Sequence, residues 1–144
     1  MSARMFFTRE EQQRIVAAIK EAELNTSGEI RVHIENRCKE ETIERAAELF
    51  YELKMDHTAA RNGILFYLAV KDHKFAVIGD EGINRKVEHD FWNDIKDEMI
   101  ANFKENRFAE GVISGILKCG EKLKTYFPYQ DDDVNELNDE ISFG

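Results

Sequence analysis

The feature that most limits what this chain can become is an unbroken apolar run, Ile64-Leu65-Phe66-Tyr67-Leu68-Ala69-Val70, with turn residues at both ends. Asn62-Gly63 precedes it and Lys71-Asp72-His73-Lys74 follows it. The run is too short for a typical helix and lacks the alternation of a half-solvated strand, so it predicts a strand buried on both faces. Such a strand needs a layer packed above it and another below it. After the short turn, residues 75–78 resume as a strand, and the pair predicts an antiparallel hairpin.

The flanking segments supply the layers. Thr8 and Glu11 fit a capping box at the start of a helix over about residues 9–24, with Ile15, Ile19 and Ala22 at helical spacing. Asn25-Thr26-Ser27-Gly28 breaks it, with Gly28 expected in a left-handed cap. Residues 29–35 alternate: Ile30, Val32 and Ile34 point one way, and Glu29, Arg31, His33 and Glu35 the other. This predicts a strand with one polar face, or one near an edge. Ile43, Ala46, Ala47 and Phe50 mark a second helix over about 40–54, followed by a loop to Asn62. Val87, Phe91, Ile95 and Met99 predict a third helix, with Asn84 as a plausible N-cap, and Val112, Ile116 and Leu123 predict a last one over about 110–126. The order α-β-α-β-β-α-α reads as a three-layer αβα sandwich, a small mixed β-sheet with helices on both faces. The first two strands are expected parallel with a right-handed crossover, and the second and third antiparallel.

Length and charge set the organisation. The 144 residues make one domain, assigned to residues 1–128, and residues 129–144 form an acidic C-terminal tail. The tail holds Asp131, Asp132, Asp133, Glu136, Asp139 and Glu140 without a Lys or Arg, and is expected to be solvated. The net charge of −9 argues against nucleic acid as a partner, since an acidic surface repels phosphates. Cys38 and Cys119 lack CxxC spacing and read as reduced thiols rather than a disulfide framework. With no apolar h-region and no stretch of 18 apolar residues, no membrane segment is expected, and the expected location is cytoplasmic.

Several familiar sites are missing. There is no P-loop, GxGxxG or HExxH, and Ser114 lies in a helix rather than a GxSxG elbow. Neither cysteine has an Arg six positions on, as a thiol phosphatase would require. The run Asp131-Asp132-Asp133-Val134-Asn135 fails as an EF-hand, with Glu136 where Gly is needed and Ser142 where Glu is needed. His33 and His57 lack partners at metal-ligand spacing, and His89 and Asp90 read as surface residues at a helix start.

The strand directions bring three loops to one edge of the sheet: Thr26-Ser27-Gly28-Glu29, Arg61-Asn62-Gly63 and Gly79-Asp80-Glu81-Gly82. Asp72 belongs at the opposite edge. Asp80 and Glu81, with Glu29 from the neighbouring strand start, form an oxygen-only set suited to a hard cation, Ca²⁺ or Mg²⁺. The competing reading is a polar loop that caps the following helix, where acids are favoured by the helix dipole. Arg61 and Asn62 are candidate anion ligands, Arg61 through a bidentate fork, with Thr26 and Ser27 adding hydroxyls; their plainer roles are a turn and a helix terminator.

The segments Thr26-Ser27-Gly28-Glu29-Ile30-Arg31-Val32, Arg61-Asn62-Gly63-Ile64-Leu65 and Lys74-Phe75-Ala76-Val77-Ile78-Gly79-Asp80-Glu81-Gly82-Ile83 together resemble the TPM-domain family. Phe91-Trp92, Phe108 with Gly111, and Phe127-Pro128 extend the resemblance, and Asn135-Glu136-Leu137 and Asp139-Glu140-Ile141-Ser142 look like the tail of bacterial members. The resemblance implies an α/β domain with its sheet between helix layers. It also implies links to acid phosphatase activity, photosystem repair or divalent metals including calcium. Three functional readings follow: a divalent-metal-binding domain at Asp80, Glu81 and Glu29; a metal-assisted phosphomonoesterase at the same edge, with Arg61 clamping the phosphoryl group; and a protein-interaction domain that uses the acidic tail and needs no metal.

Overall fold

In the computed structural model, residues 2–129 and 137–144 are described. A short helix α1 (Ala3–Phe6) leads into α2 (Arg9–Glu23), which starts at the expected capping box. Thr8 Oγ1 accepts from the Glu11 amide at 3.0 Å, and Glu11 Oε1 accepts from the Thr8 amide at 2.9 Å. Strand β1 (Glu29–Glu35), helix α3 (Thr42–Glu52) and a 3₁₀ turn (Met55–His57) come next. The hairpin is β2 (Gly63–Ala69) and β3 (Lys74–Gly79), followed by α4 (Glu81–Asn84), α5 (Phe91–Lys104) and α6 (Phe108–Leu123). Ser142–Phe143 adds a two-residue strand, β4.

The sheet order is β3-β2-β1-β4, with β1 parallel to β2 and β4, and β2 antiparallel to β3. Every residue of β2 is buried, as its composition requires. Its alternate side chains feed two cores. Ile64, Phe66 and Leu68 join Ile30, Val32 and Ile34 of β1 beneath α2, α5 and α6. Leu65, Tyr67 and Ala69 meet Ala46, Leu49 and Phe50 of α3 on the other face. This is the mixed-sheet, three-layer arrangement that the apolar run predicts.

Three local expectations are corrected. Gly28 is not a left-handed cap, since no described glycine has positive φ; α2 ends at Leu24 in the right-handed helical conformation and leaves through a turn. Asn84 does not cap a helix but ends α4, and Asp80 caps it instead, its Oδ1 accepting from the Glu81 amide at 2.8 Å. The tail is docked where it is described. Leu137 is buried, β4 pairs with His33 and Ile34, and the Gly144 amide donates to the Ile34 carbonyl at 3.0 Å. The physical reason is that β1 would otherwise leave a bare outer edge, and the tail covers it. The acidic run 131–135 lies outside the described residues.

Candidate functional site

The three loops do converge. The Glu29 amide donates to the Asn62 carbonyl at 3.1 Å, and the Asp80 amide donates to the Gly63 carbonyl at 2.9 Å. Asn62 Nδ2 reaches across to the Ser27 carbonyl at 2.9 Å, and Gly82 N donates to the Arg61 carbonyl at 2.9 Å. A side chain at Gly82 would meet the Ala60 carbonyl oxygen at 2.2 Å, so this approach requires glycine. Asp72 lies at the far edge, where its carboxylate accepts from the Cys38 amide at 2.7 Å and from Arg37 at 3.1 Å.

Within the convergence, Asp80 and Glu81 are not an open carboxylate pair. Arg61, at φ 51°, turns its fork onto Asp80, with Nε–Oδ2 at 2.7 Å and Nη2–Oδ1 at 2.9 Å. Its Nη1 also reaches Glu81 Oε1 at 3.3 Å. The planar guanidinium matches the carboxylate bidentately, so the repulsion expected between the two acids is already compensated. The same fork is therefore engaged and does not point at an incoming anion. Asn62 is buried and serves the loop junction, its Oδ1 left without a donor among the described residues. Thr26 is buried too: its hydroxyl donates to the Phe127 carbonyl and accepts from the Gly28 amide at 3.1 Å. Ser27 N binds the same Phe127 carbonyl at 2.9 Å, and Thr26 bridges Pro128. Thr26, Ser27 and Asn62 thus latch the end of α6 to the loop edge.

Glu29 does not join Asp80 and Glu81 either. It is buried, and its Oε1 accepts from the Leu137 amide at 2.8 Å, tying down the tail. It belongs to a different group of acids. Glu23, at the last turn of α2, lines a cleft of about 200 Å³ with Lys20, Thr26, Ser27, Glu29 and Asp139. Glu23 Oε2 accepts from the Ile30 amide at 3.1 Å. Burial, then the hydrogen bond with Asp139, then the charges of Asp139 and Glu29 push the Glu23 carboxyl up to about 9. At neutral pH Glu23 keeps its proton and shares it with Asp139. The negative end of the α2 dipole acts in the same direction. Among the described residues, no group of three or more His, Cys, Asp or Glu is arranged to hold a metal ion.

A second polar cluster also escaped the sequence, where His33 read as isolated. Glu35 is buried under α3 and accepts a fork from Arg45, Nε–Oε2 at 2.9 Å and Nη2–Oε1 at 3.0 Å. The Tyr67 hydroxyl donates to Glu35 Oε2 at 2.5 Å, and His33 Nε2 lies 3.4 Å from Oε1. Burial works against the Glu35 charge, but Arg45 and Tyr67 outweigh it and hold its pKa below the usual carboxylate range. Burial also lowers the His33 pKa, so the ring is neutral at pH 7, and its Nδ1 meets Ser142 Oγ of β4 at 2.7 Å. The polar face of β1 is real, as alternation predicts, but it is enclosed by α3 and the tail rather than solvated.

Residues 3–122 match the family described as the TPM domain. Among solved structures, the chain is similar to the BA42 protein of the psychrophilic bacterium Bizionia argentinensis, with 46% identity, 96% of each chain covered and a TM-score of 0.92. It also superposes on the N-terminal domain of a P. gingivalis protein at TM-score 0.69 and 16% identity, covering 84% of this chain and 78% of that one. The N-terminal domain of the cg2496 protein of Corynebacterium glutamicum gives TM-score 0.66 at 9% identity, covering 95% and 80%. The last two likenesses concern the fold alone. No curated protein matches. No helix among the described residues is long and apolar enough to cross a membrane.

Proposed function

The chain belongs to the TPM domain family, and we propose that it works there as a divalent-cation-binding module whose carboxylates are Glu23 and Asp139, beside Glu29, rather than Asp80 and Glu81. The observation that carries this reading is the raised Glu23 carboxyl, pushed up to about 9 in a cleft shared with Asp139. Two acids that share one proton are held together at a cost, and a Ca²⁺ or Mg²⁺ ion would take the proton's place while neutralising both. The carboxylate and hydroxyl donors are hard oxygens, and among the described residues no thiol or imidazole lines the cleft. Mg²⁺ keeps several waters and is commonly held by one or two carboxylates, so a two-acid site does not need a third side-chain ligand for it, while Ca²⁺ would draw further oxygens from backbone carbonyls and water. The phosphomonoesterase reading draws no support from the Arg61 geometry, because Asp80 already occupies the fork.

The test is a melting titration with Ca²⁺ and with Mg²⁺ between pH 7 and 9, on wild type, Glu23→Gln and Asp139→Asn. Wild type gains about 2.7 kcal/mol at a hundredfold excess of cation over its dissociation constant. The gain grows with pH because the cation displaces a proton, and both variants lose it. A wild type indifferent to millimolar cation would end this reading and leave the interaction-domain alternative in the lead.

A further inference from the structure

At the far end of the sheet lies a feature that neither cation binding nor the loop edge uses. A cleft of about 300 Å³ opens where the β2–β3 turn meets the α5–α6 corner. Its walls are apolar: Phe75 and Phe103 pack edge to face at 5.3 Å between centroids, and Phe103 and Phe108 sit at 5.8 Å. Ile100 remains 37% exposed on its rim, one of few large apolar side chains left in solvent. The volume is at the small end of ligand pockets, which are apolar with a few polar groups that fix orientation.

Two further observations say what it fits. The first is charge. In a chain of net charge −9, no acid among the described residues lines this cleft, while His73, Lys74 and Lys104 do. Lys74 is tethered to the Cys38 carbonyl at 3.3 Å, but Lys104 is exposed and makes no ion pair among the described residues. The second is construction. Both rim corners are turned by residues in the left-handed region, His73 at φ 54° and Asn106 at 60°, which His and Asn enter more readily than other non-glycine residues, so the two turns fix the shape of the rim. The Phe103 wall is seated over Gly111, where a Cβ would come within 2.5 Å of the Phe103 ring.

We propose that this cleft binds a small organic anion with an aromatic or branched aliphatic body, an aryl or alkyl carboxylate whose apolar part lies against Phe75, Phe103 and Phe108 and whose carboxylate meets Lys104. The apolar walls supply affinity, and the uncompensated cation on the rim selects a carboxylate over a neutral analogue of the same shape.

The experiment titrates ¹⁵N-labelled full-length protein with 1-naphthoate and, separately, with 1-naphthalenemethanol, and follows amide shifts. A probe of this size binds with a dissociation constant near 1 mM or tighter, from the usual affinity per heavy atom. Naphthoate shifts the amides of Phe75, Phe103 and Phe108 and binds about fivefold more tightly than the alcohol, a factor in the range of one exposed ion pair. Lys104→Gln, a surface change that leaves the fold intact, removes that preference without weakening the alcohol. Gly111→Ala pushes the Phe103 ring into the cleft, and the folded variant loses both probes. Equal affinity for the two probes, shifts centred elsewhere, or an unchanged preference in Lys104→Gln would each overturn the proposal. So would a folded Gly111→Ala that still binds.

Discussion

Two carboxylates lie against strand β1, one near each end, and their fates diverge. Glu35 is enclosed by the Arg45 fork and the Tyr67 hydroxyl, and its pKa is held down despite burial. Among the described residues Glu23 meets Ile30 N and two more acids, Asp139 and Glu29, with Lys20 on the cleft wall, and its pKa rises to about 9. The residue type is the same and both are withdrawn from water. What differs is whether a fixed cation is supplied. Where the fold supplies one, the carboxylate stays charged and structural; where it supplies more acids, the carboxyl keeps its proton at neutral pH.

The largest effect is expected at the closed cluster. Glu35→Ala takes the two-point carboxylate from the half-buried Arg45, leaving it the longer contacts to Glu48 at 3.9 Å and Glu52 at 4.0 Å, and strips the buried Tyr67 hydroxyl of its acceptor, a combined loss of about 3 kcal/mol. Urea unfolding measures it, and a loss below about 1 kcal/mol would remove the contrast with Glu23. The sign with pH follows from the lowered Glu35 pKa: its contribution is present above the unfolded carboxyl value and is lost as pH falls through the folded one. Next in size is deletion of residues 137–144. It removes the buried Leu137, the Glu29–Leu137 bond and the β4 cover of β1, and costs about 2–3 kcal/mol, mostly apolar burial. A truncated chain that melts with wild type would restore the solvated tail that composition predicts.

The parts that were legible in the sequence are those set by periodicity and connection. The run 64–70 had to be a buried strand, and the strand directions alone brought Ser27, Asn62 and Asp80 to one edge. The rest depended on partners remote in the chain. Nothing at Glu35 points to Arg45 and Tyr67, and nothing in a two-residue strand carries a period, so β4 was hidden inside an acidic tail. Glu23 reads as one more charged helix residue until the tail brings Asp139 beside it. The site reading at Asp80 and Glu81 counted like charges in a loop but could not see Arg61 turned back onto them by its left-handed backbone.

The open cluster is sharpened by Glu23→Gln without any cation. The raised folded pKa means wild type is fully stable only below the unfolded carboxyl value and loses stability as pH rises towards about 9, because the unfolded chain releases the proton first. The amide does not titrate. Glu23→Gln is therefore expected to exceed wild type by about 1–3 kcal/mol at pH 8, a figure reduced for the cleft's partial solvation, and to match it near pH 4.5. Equal pH profiles would mean that Glu23 is an ordinary surface acid.

The smallest effect is expected where the sequence pointed first. Asp80→Asn with Glu81→Gln removes both partners of Arg61, a side chain 36% exposed, so the guanidinium turns to water and the fold is little disturbed. The Asp80 cap survives in part, since Asn is also a good N-cap. If the cation site is the Glu23–Asp139 cleft, this double variant keeps the wild-type melting response to Ca²⁺ and Mg²⁺, because neither replaced residue lines that cleft. If the cation instead competes with Arg61 for Asp80, the response vanishes here and persists in Glu23→Gln. The two variants therefore exchange outcomes between the two candidate sites, and one titration series on both, with wild type as the reference for any response at all, decides between them.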